Sequence, residues 1–159
     1  MALHLPGSGG NMKVAQVCTR RVFVIKADQP LAEAAREIQE RHVGALVVIE
    51  QRHGSVYPIG MVTDRDIVCG QFAHEADLHV LTVADAMAAP AVTVAEELGI
   101  EEAIAALRTR TVRRAPVVNQ VGELVGIVTL DDLVPAVAAE LNSLAQLIGS
   151  QARHEETQS

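Results

Sequence analysis

The strongest constraint on this chain is that it repeats itself. Displaced by 69 positions, Val14-Ala15-Gln16-Val17-Cys18 falls on Val83-Ala84-Asp85-Ala86-Met87, and Val22-Phe23-Val24-Ile25 falls on Ala91-Val92-Thr93-Val94. Glu33-Ala34 meets Glu102-Ala103, Val43 meets Val112, and Val48-Ile49 meets Val117-Val118. Three residues then drop out of the second copy and the displacement becomes 66. Gly60-Met61-Val62-Thr63 lands on Gly126-Ile127-Val128-Thr129, and Asp66-Ile67 on Asp132-Leu133, with the glycines read as turn residues that keep step. Self-similarity at a fixed period marks tandem supersecondary units. A single copy of about 60 residues buries a marginal fraction of its surface, so the two copies are expected to pack through their sheets into one pseudo-symmetric module.

Each copy carries the same grammar. A β-rich run opens it, Val22 to Ile25 and Val92 to Val94. A helix follows, with apolar residues at Leu31, Ala34, Ala35 and Ile38 and at Ile100, Ala103, Ile104 and Leu107, one face at helical spacing. Asp28 is the expected cap of the first, with Pro30 in its first turn. Two short apolar runs come next, Leu46–Ile49 with Ile59–Val62 and Pro116–Val118 with Leu124–Val128, joined by hairpin loops. A second helix begins just after Thr63 or Thr129. The order is β-α-β-β-α, twice, an α/β chain of the α+β type. The expected organisation is a flexible lead over 1–11, repeat one over 12–72, a linker over 73–79, repeat two over 80–138, and a helical extension with a polar tail over 139–159.

Composition excludes several function classes. Of 159 residues, 49% are hydrophobic, enough for a real core, and only 2% are aromatic, too few for a stacking platform that binds single-stranded nucleic acid. A net charge of -7 repels nucleic acid and anionic membranes, which makes nucleic acid an unlikely partner. No apolar run reaches the roughly 18 residues of a membrane span, and the first residues lack the basic region of a signal peptide. A cytoplasmic protein is expected, with Cys18 and Cys69 as core filler. His42, His53, His74 and His79 share no metal-ligand spacing. No nucleophile triad, P-loop or zinc-protease phrase is present, so no catalytic residue and no metal are assigned.

The order β-α-β-β-α, the phrase Val112-Arg113-Arg114-Ala115-Pro116-Val117-Val118, and the endings Gly60-Met61-Val62-Thr63-Asp64-Arg65-Asp66 and Gly126-Ile127-Val128-Thr129-Leu130-Asp131-Asp132 resemble the cystathionine-β-synthase (CBS) domain. The resemblance runs from about residue 12 to 138 and looks like a CBS pair that stands alone; the phrase Thr63-Asp64-Arg65-Asp66-Ile67-Val68 is similar to small bacterial members of that type.

That resemblance supplies a site. A Thr delivered by a strand to a helix mouth, with Asp three residues on, can be a helix cap. In the resembled family the Asp also holds the ribose of an adenosyl ligand and the Thr lies beside it. The assignment falls on Thr63 and Asp66, and on Thr129 and Asp132. The same resemblance puts Arg113 and Arg114 at the central cleft, where a guanidinium can grip phosphate. Arg114 would serve the Asp132 side; Arg113 would lean toward Asp66, where Arg65 adds a cation. Asp131 stands where Arg65 does in the first copy, so the Asp66 pocket is expected to bind phosphorylated adenosine better. Val43, Gly44, Met61, Val112 and Ile127 form the expected lining. Arg108 and Arg110 are read instead as cations at a helix C-terminus.

The implied function is a ligand-sensing module that binds AMP, ADP or ATP, or another adenosyl compound such as S-adenosylmethionine or NAD, and regulates an unidentified protein without chemistry of its own. The alternative is a structural or stress-associated interaction protein with degenerate pockets. A homodimer is expected, because Val134, Val137, Leu141, Leu144 and Ile148 are spaced as a short heptad seam. Pro135 inside that seam is expected to kink or restart the helix, and the tail from Ser150 is expected to fray.

Overall fold

The computed structural model describes residues 12–158, so the expected flexible lead lies outside the described residues. Twelve elements follow in order: α1 (Val14–Val17), β1 (Val24–Lys26), α2 (Leu31–Arg41), β2 (Ala45–Arg52), β3 (Ser55–Thr63), α3 (Asp64–His74), α4 (Val83–Ala86), β4 (Val94–Ala95), α5 (Ile100–Thr109), β5 (Arg114–Val118), β6 (Leu124–Thr129) and α6 (Leu130–Gln158). They make two three-stranded sheets, β1-β2-β3 and β4-β5-β6. In each sheet the first pair is parallel and the second antiparallel, as a strand–helix–strand crossover followed by a hairpin requires. The first hairpin closes through His53 and Gly54, both at positive φ, a two-residue turn whose twist matches its strands.

The repeat found in the sequence is not the unit of packing. Val14 of α1 is buried in the core formed by β4, α5, β5, β6 and α6, while Leu81 and Val83 belong to the core of the first sheet. Each opening segment folds onto the other copy through equivalent bonds. Val14 N donates to the Leu98 carbonyl at 2.9 Å and Ala15 N to that of Glu96 at 2.9 Å. Val83 N donates to the Gln29 carbonyl at 2.9 Å and Ala84 N to that of Ala27 at 2.9 Å. Neither copy completes its core without the other's opening segment.

Gly60 and Gly126, expected as turn residues, lie inside β3 and β6. The chain crossing from α4 pairs Ala88 with Met61, and the chain crossing from α1 pairs Thr19 with Ile127. A Cβ on Gly60 would stand 2.7 Å from the Ala88 carbonyl oxygen, and one on Gly126 would stand 2.9 Å from that of Thr19. Only a residue without a side chain lets a second backbone come this close.

Several local expectations are corrected. The cap position of α2 is Pro30, without a side-chain cap bond, so Asp28 does not fill that role. Cys69 is exposed rather than core filler, and only Cys18 is partly covered. α6 is one helix through Gln158, so Pro135 does not restart it and the tail from Ser150 is helical to that point. Pro135 lacks the N–H that would reach the Asp131 carbonyl, and its ring crowds that carbonyl; Asp131 is exposed, where water can take the freed bond. Arg108 sits in the last turn of α5 and Arg110 caps it, as expected of helix-end cations.

Candidate functional site

Both Thr–Asp pairs form at the mouths of α3 and α6. Asp66 Oδ2 accepts from Thr63 N at 2.9 Å and from Thr63 Oγ1 at 2.8 Å, while Asp66 N donates to Thr63 Oγ1 at 3.1 Å. Asp132 Oδ2 accepts from Thr129 N and Thr129 Oγ1, each at 2.9 Å, and Asp132 N donates to Thr129 Oγ1 at 3.2 Å. The cap therefore uses one carboxylate oxygen and leaves Oδ1 open. Capping alone does not make a site, because Thr82 and Asp85 form the same contacts on the surface. Thr82 N and Oγ1 reach Asp85 Oδ2 at 2.8 and 3.0 Å, and those bonds hold the Asp85 carboxyl below the usual carboxylate range.

The Asp132 pair opens on a cleft of about 260 Å³, lined by Thr19, Arg21, Phe23, Val43, Ala45, Arg114, Ile127, Thr129 and Asp132. Its walls come from both copies: β6 and the start of α6 give Ile127, Thr129 and Asp132, β5 gives Arg114, and the first copy gives the rest. The crossing segment after α1 is pinned there by paired bonds between Thr19 and Ile127, each 2.9 Å. Arg114 is half-buried, and its guanidinium lies over Gly44, where a Cβ would be 3.5 Å from Nη1.

Of the residues expected at the site, this cleft joins Thr129, Asp132, Arg114, Val43 and Ile127, with Gly44 beneath the guanidinium. The others lie outside it. Arg65 and Asp131 are exposed at the first turns of α3 and α6. Arg113 is exposed, and its carbonyl accepts from Leu130 N at 2.9 Å. Met61 is held by backbone bonds with Ala88, and Val112 packs on the second core. Sequence reasoning missed Thr19, Arg21, Phe23 and Ala45. For the first three a signal was present at a displacement of 69, where they fall on Ala88, Pro90 and Val92, a departure from the repeat. Among the described residues no group of His, Cys, Asp and Glu is placed to hold a metal ion.

The model of the CBS domain matches residues 14–69 and 83–139. The chain belongs to the CBS-domain family. It is 34% identical over 120 residues to the CBS domain-containing protein YhcV of Bacillus subtilis, covering 76% of this chain and 81% of that one. It is 28% identical over 124 residues to an uncharacterized protein of Methanopyrus kandleri, covering 78% of this chain but only 62% of that longer relative. Among solved structures, a CBS domain protein from Pyrobaculum aerophilum complexed with AMP superposes with a TM-score of 0.71 at 25% identity, over 83% of this chain and 99% of that one. This CBS pair thus has its two repeats and their α+β architecture in common with proteins that share little sequence with it.

Proposed function

We propose that this CBS pair is a regulatory sensor that binds an adenosyl ligand in the Asp132 cleft and performs no chemistry on it. The supporting observation is that both copies build the cleft around a Thr129–Asp132 box whose second carboxylate oxygen is open. That oxygen can accept both hydroxyls of a ribose, bonds that are charge-assisted and therefore strong. Val43, Ala45 and Ile127 supply an apolar slot for a flat base. The volume, about 260 Å³, falls just under the roughly 300–1,000 Å³ of small-molecule sites, which suits a nucleoside with its 5′ substituent at the mouth. Because the walls come from both copies, occupancy favours one arrangement of the two, and a ligand acts by such differential affinity. The relative solved with AMP makes an adenine nucleotide the first ligand to try. We place the protein in the cytoplasm as a homodimer acting on a partner protein; no helix among the described residues is long and apolar enough to cross a membrane.

The test is a thermal-shift panel of AMP, ADP, ATP, NAD and S-adenosylmethionine, since a ligand of the native state raises its apparent stability. Calorimetry on Asp132→Asn and Asp66→Asn then locates the site. Loss of one charge-assisted bond is worth about 1.5–3 kcal/mol, so Asp132→Asn should weaken the ligand by about tenfold or more. No shift with any of the five compounds, or full affinity in Asp132→Asn, refutes the reading.

A further inference from the structure

We propose that the Asp132 cleft selects adenosyl ligands that carry a phosphate, and that Arg21, stacked on Phe23, is the residue that reads it. This rests on the adenosyl reading above and goes beyond it in naming the ligand's charge and a residue outside the repeated motif. Arg21 and Phe23 enter the cleft from the segment between α1 and β1. The Arg21 guanidinium lies 5.3 Å from the centre of the Phe23 ring, within the range of a cation–π contact. Arg41 lies over the same ring at 5.4 Å but is also bonded to Glu37 through Nε at 3.2 Å.

Among the described residues the ion pairs engage Lys13, Arg20, Arg36, Arg41 and Arg52; neither Arg21 nor Arg114 has a carboxylate oxygen within 4.0 Å of its guanidinium nitrogens. Two guanidiniums thus converge on one cleft of an acidic chain whose lining holds a single carboxylate, that of Asp132; Arg21 is exposed and Arg114 is half-buried over Gly44. A cation partly removed from water gains most from an anion that replaces its hydration, and a planar guanidinium fits phosphate oxygens two at a time. The ring fixes one face of Arg21 and leaves its edge N–H groups free to donate.

The arrangement exists on one side only. The repeat puts Ala88, Pro90 and Val92 on the Asp66 side at the positions of Thr19, Arg21 and Phe23. Pro90 carries no charge and Val92 no ring. Counting Arg65 and Arg113 against Asp131 along the sequence favours the Asp66 pocket, but none of the three lines the Asp132 cleft, whereas Arg21 and Arg114 do. Weighing instead the cations that line the cleft reverses the order.

The experiment is calorimetry of the full chain with AMP and with adenosine, on the parent, Arg21→Gln and Phe23→Leu. The parent should bind AMP about tenfold tighter than adenosine, the worth of one charge-assisted contact, at one phosphate-selective site per chain, with the AMP advantage shrinking as salt rises. Arg21→Gln should abolish most of that advantage while adenosine affinity stays within about twofold. Phe23→Leu keeps the apolar wall and should remove part of the advantage. Ligand-free melting temperatures confirm that the variants fold. Equal parent affinity for AMP and adenosine, an AMP advantage untouched by Arg21→Gln, or an equal loss for both ligands overturns the assignment of Arg21. If the parent binds neither compound nor any other adenosyl ligand, the adenosyl reading itself fails, and phosphate selection with it.

Discussion

Replacing Gly126 with alanine tests whether the crossing of the chain between the two copies, and not a turn, is the reason for that glycine. A Cβ there would lie 2.9 Å from the Thr19 carbonyl oxygen and 3.0 Å from Cys18 Sγ, about half an ångström inside ordinary contact. The crossing segment cannot lift away freely, because Thr19 and Ile127 exchange two backbone bonds of 2.9 Å. Either the overlap is tolerated as strain or those bonds stretch. Overpacking of this kind costs about 1–3 kcal/mol, and each stretched bond gives up roughly 0.5–1.5 kcal/mol. Gly60→Ala meets the Ala88 oxygen at 2.7 Å, with Met61 and Ala88 bonded in the same way, and should lose a similar amount. Gly149 in α6 is the control: nothing lies within 4 Å of its Cβ position, so alanine there should stabilise by up to about 1 kcal/mol through helix propensity. Urea denaturation at one fixed protein concentration measures all three. Gly126→Ala should also weaken the cleft's ligand more than Gly60→Ala does, since Thr19 and Arg21 reach the cleft through that crossing. If both strand variants stay within about 0.5 kcal/mol of the parent, the change expected at an unconstrained surface site, the crossing argument is wrong.

The remaining predictions are shorter. Val134, Leu141, Leu144 and Ile148 are all exposed on α6 while Val137 packs on the core; Leu141→Asp with Leu144→Asp should shift the expected homodimer toward monomer in light scattering, and a parent that is monomeric at every concentration removes the premise. Cys69 is exposed, whereas burial pushes the Cys18 thiol up, with Arg20 opposing that shift. Less Cys18 is therefore thiolate at mildly alkaline pH, and iodoacetamide should label Cys69 first; mass spectrometry finding Cys18 labelled at the same rate contradicts the packing described for it.

The sequence by itself determined the order β-α-β-β-α in each copy, but not the short helices α1 and α4 that precede it. Apolar residues at Leu31, Ala34, Ala35 and Ile38 dictate a helix with one buried side, and the observed α2 begins at Leu31. Thr63 and Thr129 mark helix starts because their hydroxyls and the Asp three residues on satisfy backbone donors locally. Such signals are legible because their causes lie within one turn or one strand. Periodicity states that a face is buried but not against which neighbour. Two copies with similar apolar faces offer Val14 and Val83 equivalent docking sites, on their own copy or on the other. Only the tertiary structure decided for the other, and so carried Thr19, Arg21 and Phe23 to Asp132 and Arg114, about a hundred residues along the chain. The same crossing explains Gly60 and Gly126, which the sequence could show to be repeated but not why: the constraint on each is a backbone that arrives from the far side of the repeat.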